Sequence, residues 1–123
     1  MNIKNHTIDL LRAMPDSIYN FKPNEDLRSF QELAYHMVYS IEWNLEQMKG
    51  NPVKWVSGGE DQMTKKELIN FGDKQFDKLV EFIKAAKETP TLTDKLIDVL
   101  NHNAHHQGQM VTYLRLKGIA PPN

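Results

Sequence analysis

The amino-acid sequence predicts an all-α protein, a four-helix bundle forming a single domain over residues 1–123. Four segments place apolar residues every three or four positions, the spacing that lines up one face of an α-helix. No stretch alternates apolar and polar residues with the period of two that a half-buried strand needs. The breaks between segments are mostly short and rich in helix-ending residues, as in a bundle of neighbouring helices.

The first segment, residues 3–14, carries Ile3, Leu10, Leu11 and Met14 inward and Asp9 and Arg12 outward. Pro15 can open a renewed helix, since the first helical position needs no N–H, so residues 16–21 are expected to continue the first helix past a bend. Pro23 pushes Lys22 away from helical angles, and residues 21–26 read as a break. The second helix is expected over about 27–49, with Leu27, Phe30, Leu33, Ala34, Met37, Ile41, Leu45 and Met48 as its stripe. Gly50 and Asn51-Pro52 stop it. Residues 53–62 read as a loop with Trp55 as its anchor.

Thr64-Lys65-Lys66-Glu67 is a capping box that opens the third helix, which runs to about residue 87. Its apolar face is Leu68, Ile69, Phe76, Leu79, Val80, Phe82, Ile83 and Ala86. Gly72, costing about 1 kcal/mol against alanine in a helix, implies a close helix contact. Pro90 falls in a short connection, and the fourth helix is expected over about 94–117, with Leu96, Ile97, Leu100, Ala104, Val111 and Leu114 inward. Gly118 is placed to be its left-handed cap, and Pro121-Pro122 cannot continue it.

Composition removes several functions. With 15 Lys and Arg against 16 Asp and Glu, a net charge of −1 and a pI near 6.5, the chain has no basic footprint for nucleic acid. It has no cysteine, so disulfides, thiolate nucleophiles and thiolate metal ligands are absent. No apolar run approaches the ~20 residues of a membrane span. The first six residues have no signal-peptide apolar block, so a soluble, cytoplasmic domain is the expectation. No Gly-rich phosphate loop, nucleophile elbow or dinucleotide fingerprint is present.

The chemistry concentrates in Asn101-His102-Asn103-Ala104-His105-His106-Gln107-Gly108-Gln109. On a helix, His102 and His106 lie one above the other and can converge on one divalent ion, whereas His105 points to a neighbouring face. Such pairs are also common as solvated helix-face residues, to which class His6 and His105 are assigned. His36, in the second helix, sits at the border of its apolar stripe. A zincin-type protease is excluded, because the position of its Glu general base is held here by Asn103. Tyr35, Tyr39 and Trp43 cluster near His36, but aromatic residues on a helix more often serve core or interface than pocket.

The fourth helix, Asn101-His102-x-x-His105-His106-x-Gly108-Gln109 followed by Tyr113-Leu114-Arg115 and Lys117-Gly118-Ile119-x-Pro121-Pro122, resembles the C-terminal signature of the DinB-like (damage-inducible) helical-bundle family. This is not the DNA polymerase that shares the name. Phe21-x-Pro23 and Arg28-Ser29-Phe30-x-Glu32-Leu33-x-x-His36 fit the same pattern, and the resemblance spans nearly the whole chain. It implies up-down-down-up connectivity and a divalent metal held by His36, His102 and His106. It also implies a homodimer and, from some relatives, a low-molecular-weight thiol such as bacillithiol or mycothiol as a substrate. Asn103 and Gln107 depart from the family's usual Glu and Arg.

Three imidazoles plus water form an open site suited to zinc, and imidazole also suits nickel, copper and iron; zinc and nickel are the foremost candidates. With the histidines at the edges of their stripes, the site is expected in a solvent-open groove. Asp98 and Glu32, four residues before a ligand, are expected to bond the outer imidazole nitrogens. Gln109 and Tyr113 are expected as the polar groups beside an open coordination position. Two functions follow: a metal-dependent enzyme, thiol transferase or hydrolase-like, with its catalytic groups unassigned; or a non-catalytic dimeric binding module with a structural metal or none.

Overall fold

The computed structural model describes residues 2–51 and 53–122. Met1, and with it the start of the leader reading, lies outside them, as does the Pro52 half of the expected stop signal. The helices are α1 (Asn2–Ala13), α2 (Phe30–Met48), α3 (Lys65–Ala85) and α4 (Pro90–Leu116), with one 3₁₀ turn at Asp16–Ile18. Among the described residues there is no strand, and no helix is long and apolar enough to cross a membrane.

Contacts between helices define their directions. Lys4 reaches Asp73 and Asp77 at 3.0 and 2.7 Å, while Lys65 reaches Asp16 at 3.3 Å, so α1 and α3 are antiparallel. Gln31 donates to Met63 O, Tyr35 packs on Phe71, and Leu45 shares a cluster with Leu79, so α2 and α3 run parallel. Phe30 meets Tyr113 whereas Ile41 meets Val99 in the core, so α2 and α4 are antiparallel. Together these give the up-down-down-up bundle, with α1 opposite α2 and α3 opposite α4. Two stacked clusters fill it, one around Leu10, Met14, Phe30, Met37 and Met110, the other around Ile41, Leu45, Phe76 and Val99.

A parallel neighbour forces a long return. The 19 residues of α2 span about 28 Å, which residues 49–64 must recross before α3 can start. They run along one ridge of α2 spaced by four residues. Gln47 and Trp43 donate to Val53 O at 3.2 and 2.9 Å, Tyr39 Oη accepts from Val56 N at 3.0 Å, and Gln31 donates to Met63 O at 2.6 Å. Gly59 lies against Tyr35 so closely that a Cβ there would come within 2.8 Å of the phenol oxygen. Trp55 is an anchor only in part, because the residue stays 39% exposed.

Three expected boundaries shift. The chain after Pro15 makes a 3₁₀ turn rather than a renewed helix, since Pro15 itself is extended (φ −60°, ψ 146°). Helix α2 begins at Phe30, with Leu27 outside it and 46% exposed. Ser29 and Glu32 form a capping box, and the next free N–H groups are taken by Phe21 O and Tyr19 O. Helix α4 begins at Pro90, capped by Thr89, whose hydroxyl accepts from Leu92 N at 3.1 Å; proline at the first helical position sacrifices no hydrogen bond. Gly50 (φ 82°) and Gly118 (φ 72°) take the left-handed positions after α2 and α4.

The inward stripe of α4 is rotated from the expected one. Val99, Asn103, His106, Met110, Tyr113 and Leu114 are buried, whereas Ile97 and Leu100 are 48% and 39% exposed. Side chains of α1 and α2 both crowd Gly72 of α3: a Cβ there would lie 3.2 Å from Ile8 Cδ1 and 3.4 Å from Val38 Cγ2. Gly72→Val is expected to cost about 1–3 kcal/mol through overpacking, read as a lower urea midpoint. Gly108→Ala, with nothing within 4 Å of the new Cβ, should instead gain about 0.5–1 kcal/mol. Equal effects of the two would refute the close contact.

Candidate metal centre

His36 from the middle of α2 and His102 and His106 from the middle of α4 meet because these helices are antiparallel neighbours in contact. One ring nitrogen of each histidine lies within 4.8 Å of the other two. The Nε2 atoms of His102 and His106 are 3.1 Å apart. Metal–nitrogen bonds of about 2.0–2.1 Å in tetrahedral geometry put ligand nitrogens about 3.3 Å apart, so this pair is already at ligand spacing. The ring centroid of His36 is 4.7 Å from that of His106 and 5.2 Å from that of His102. His105 is exposed and outside the triad, and His6 lies on α1.

The tautomer of His106 suits a ligand. Gln109 Oε1 lies 2.6 Å from His106 Nδ1, so that nitrogen carries the proton and Nε2 keeps its lone pair. The groups expected to act this way do not. Glu32 is committed to the α2 cap, accepting from Ser29 N at 3.1 Å, and Asp98 is exposed with no hydrogen bond among the described residues. Tyr113 is buried and donates to Arg28 O at 2.7 Å, which occupies the hydroxyl expected beside the site. Gln109, three residues after His106, takes the outer-nitrogen role instead.

The two departures from the family pattern face elsewhere. Asn103 is 2% exposed, and it and Gln107 both donate to Thr7 Oγ1 on α1, at 3.1 and 2.8 Å. One residue advances a helix by about 100°, which turns both away from the histidine face. Asn103 is thus a packing residue between α4 and α1, with its Oδ1 unpartnered. The groove expectation is corrected at one position: His36 and His102 are half-buried at the rim, but His106 sits in the middle of its stripe, 6% exposed.

Burial, followed by the positive charge of Arg28, pushes His36 down to about 4. Burial also lowers His102, followed by the neighbouring His106 and His105, and it lowers His106, where the Gln109 bond partly offsets the fall and His105 adds to it; Arg28 contributes least to each. All three rings are neutral at pH 7, the form that binds a metal. Arg28, exposed just before the α2 cap, follows burial as a cause at His36 and is the smallest named cause at His102 and His106. A cavity of about 790 Å³ on α3, bordered by Asp73, Asp77 and Phe82, contains none of the histidines. Lys4 already pairs with Asp73 and Asp77, two of its carboxylates.

Fold and site define a class: an up-down-down-up helical bundle with three neutral histidines converging from two helices, able to hold one divalent ion. The chain belongs to the DinB superfamily, whose family model matches residues 4–110 and so takes in all three histidines. No curated protein matches the sequence.

Losing the Gln109 carbonyl frees the His106 proton and ring orientation, so Gln109→Ala should weaken zinc binding about 10–100-fold. Competition titration against a chromophoric chelator measures this, and unchanged affinity would remove Gln109 from the site. The metal-free protein should also be acid-sensitive. An unfolded histidine titrates near 6.5, so between there and about 4 the unfolded chain binds protons that native His36 refuses. The contribution of His36 is therefore complete above pH 6.5 and is lost as pH falls toward 4. Melts of chelator-treated wild type and His36→Gln over that window should show the smaller loss in the variant, and parallel curves would contradict it.

Proposed function

We propose that this chain is a divalent-metal-dependent enzyme that joins a low-molecular-weight thiol to an electrophile, with zinc or nickel as its ion. The single observation carrying the reading is the convergence of three neutral imidazoles, one of them locked as an Nδ1–H tautomer by Gln109. A divalent ion there would act as a Lewis acid and lower the pKa of a thiol or water that it binds. His36, His102 and His106 would hold the ion, and Gln109 keeps the His106 proton on the outer nitrogen. The thiol comes from kinship with the DinB-like family. Fold kinship alone does not fix chemistry.

A second reading, a non-catalytic dimeric module, is favoured by one observation: Ile97 and Leu100 leave an apolar strip of α4 exposed. Assays separate the two. Zinc- or nickel-reconstituted protein, offered several small thiols with alkylating or epoxide electrophiles, should consume thiol well above the buffer rate. A His102→Ala/His106→Ala variant should lose both its metal and that excess rate. Stoichiometric metal without turnover on any thiol would leave the module standing.

A further inference from the structure

The segment 53–56 is fastened to α2 through its backbone. Val53 O accepts from Trp43 and Gln47, and Val56 N donates to Tyr39. The Trp55 side chain is not needed for that fastening, and its indole N–H makes no hydrogen bond among the described residues. Yet the ring packs against three others. It stacks on Tyr39 at 4.5 Å with a 24° interplanar angle, is met edge-on by Trp43 at 6.1 Å, and lies 5.5 Å from the ring of His36. It keeps 39% of its surface exposed beside a half-buried candidate metal ligand.

An indole serving only as a hydrophobic plug would be covered. A backed and partly exposed indole beside a candidate metal ligand is instead a stacking surface, since aromatic rings gain from offset or edge contacts beyond simple burial. Small-molecule sites commonly pair such an apolar wall with a few polar groups that fix orientation. Here the polar end is the histidine triad, and Trp55 flanks it on the α2 side.

Resting on the metal-site reading above, we infer that Trp55 is a specificity-determining wall of that site, and that its ligands carry a flat apolar ring against the indole and a polar head on the metal. The ring belongs to the ligand class, whichever partner of the reaction bears it.

Two probes with the same metal-seeking head test this, acetohydroxamate and benzohydroxamate, titrated by calorimetry into zinc-loaded protein. The aromatic probe should bind wild type about tenfold tighter than the aliphatic one. Trp55→Ala should abolish that preference while leaving zinc stoichiometry and acetohydroxamate affinity unchanged, and Trp55→Phe should retain most of it. Equal affinities in wild type, a preference that survives Trp55→Ala, or a variant that shifts both probes alike would each overturn the proposal with the metal site intact. If wild type retains no zinc, the metal-site reading fails and the proposal falls with it.

Discussion

The parallel packing of α2 against α3 is the constraint from which most of the site follows. Two parallel neighbours cannot be joined by a tight turn, so the chain must travel back along the bundle between them. Its path is chosen by side chains four residues apart on α2, from Gln47 through Trp43, Tyr39 and Tyr35 to Gln31. His36 adjoins that ridge, and so the crossover is carried past it. Each of these residues would be an ordinary surface group on an antiparallel hairpin. Topology turns Tyr39 and Trp43 into a frame for Trp55.

The other half of the geometry depends on how α2 begins. Its first free N–H groups are satisfied by Phe21 O, Tyr19 O and the Ser29 hydroxyl, which pins the start of the helix to the segment after α1. Phe30 then packs edge-on to Tyr19 at 5.1 Å and against Tyr113 at 6.5 Å, and Tyr113 reaches back to Arg28 O. These contacts set the register of α2 against α4. From that register, His36 is six residues into α2 while His106 is seven residues before Tyr113, and the two rings arrive at the same level. Buried polar groups on α4 divide the work by face: Asn103 and Gln107 bond α1, and His102 and His106 turn to α2.

Much of this was legible from the sequence where local physics decides. The capping box Thr64-Glu67, the cap Gly118 and the i, i+4 pair His102 and His106 depend only on neighbours along the chain, and each is found as expected. Ser29-Glu32 is the same motif as Thr64-Glu67, but Leu27 extended the apolar pattern and hid it. The stripe of α4 was missed because its buried face includes Asn103, His106 and Tyr113, so hydrophobicity points to the wrong side, toward Ile97 and Leu100. Gln109 was recognised as near the ligands but not as the partner of an outer nitrogen. A glutamine at i+3 has that role only when its rotamer is fixed, which no spacing specifies. The place of Trp55 and the reach of Arg28 depend on the crossover and on the α2 start, both non-local.

Without a cation, the triad is electrostatically unfinished. Gln109 holds the only proton of neutral His106 on Nδ1, so the 3.1 Å contact to His102 needs His102 to donate from Nε2. That single proton occupies the space where the ligand lone pairs converge, and the hydrogen bonds of the described residues give the His36 ring nitrogens no partner. Adding a second proton is opposed by burial and by Arg28, which lower all three histidines. A divalent ion would resolve the arrangement differently: with the His102 proton moved to Nδ1, His36, His102 and His106 would each turn a lone pair to the ion, and the Gln109 bond to His106 would stay in place. Binding to the native state alone stabilises it in proportion to the logarithm of ion concentration over dissociation constant. The burial that lowers these histidines keeps the imidazoles neutral, and neutral imidazole is the form that a metal binds.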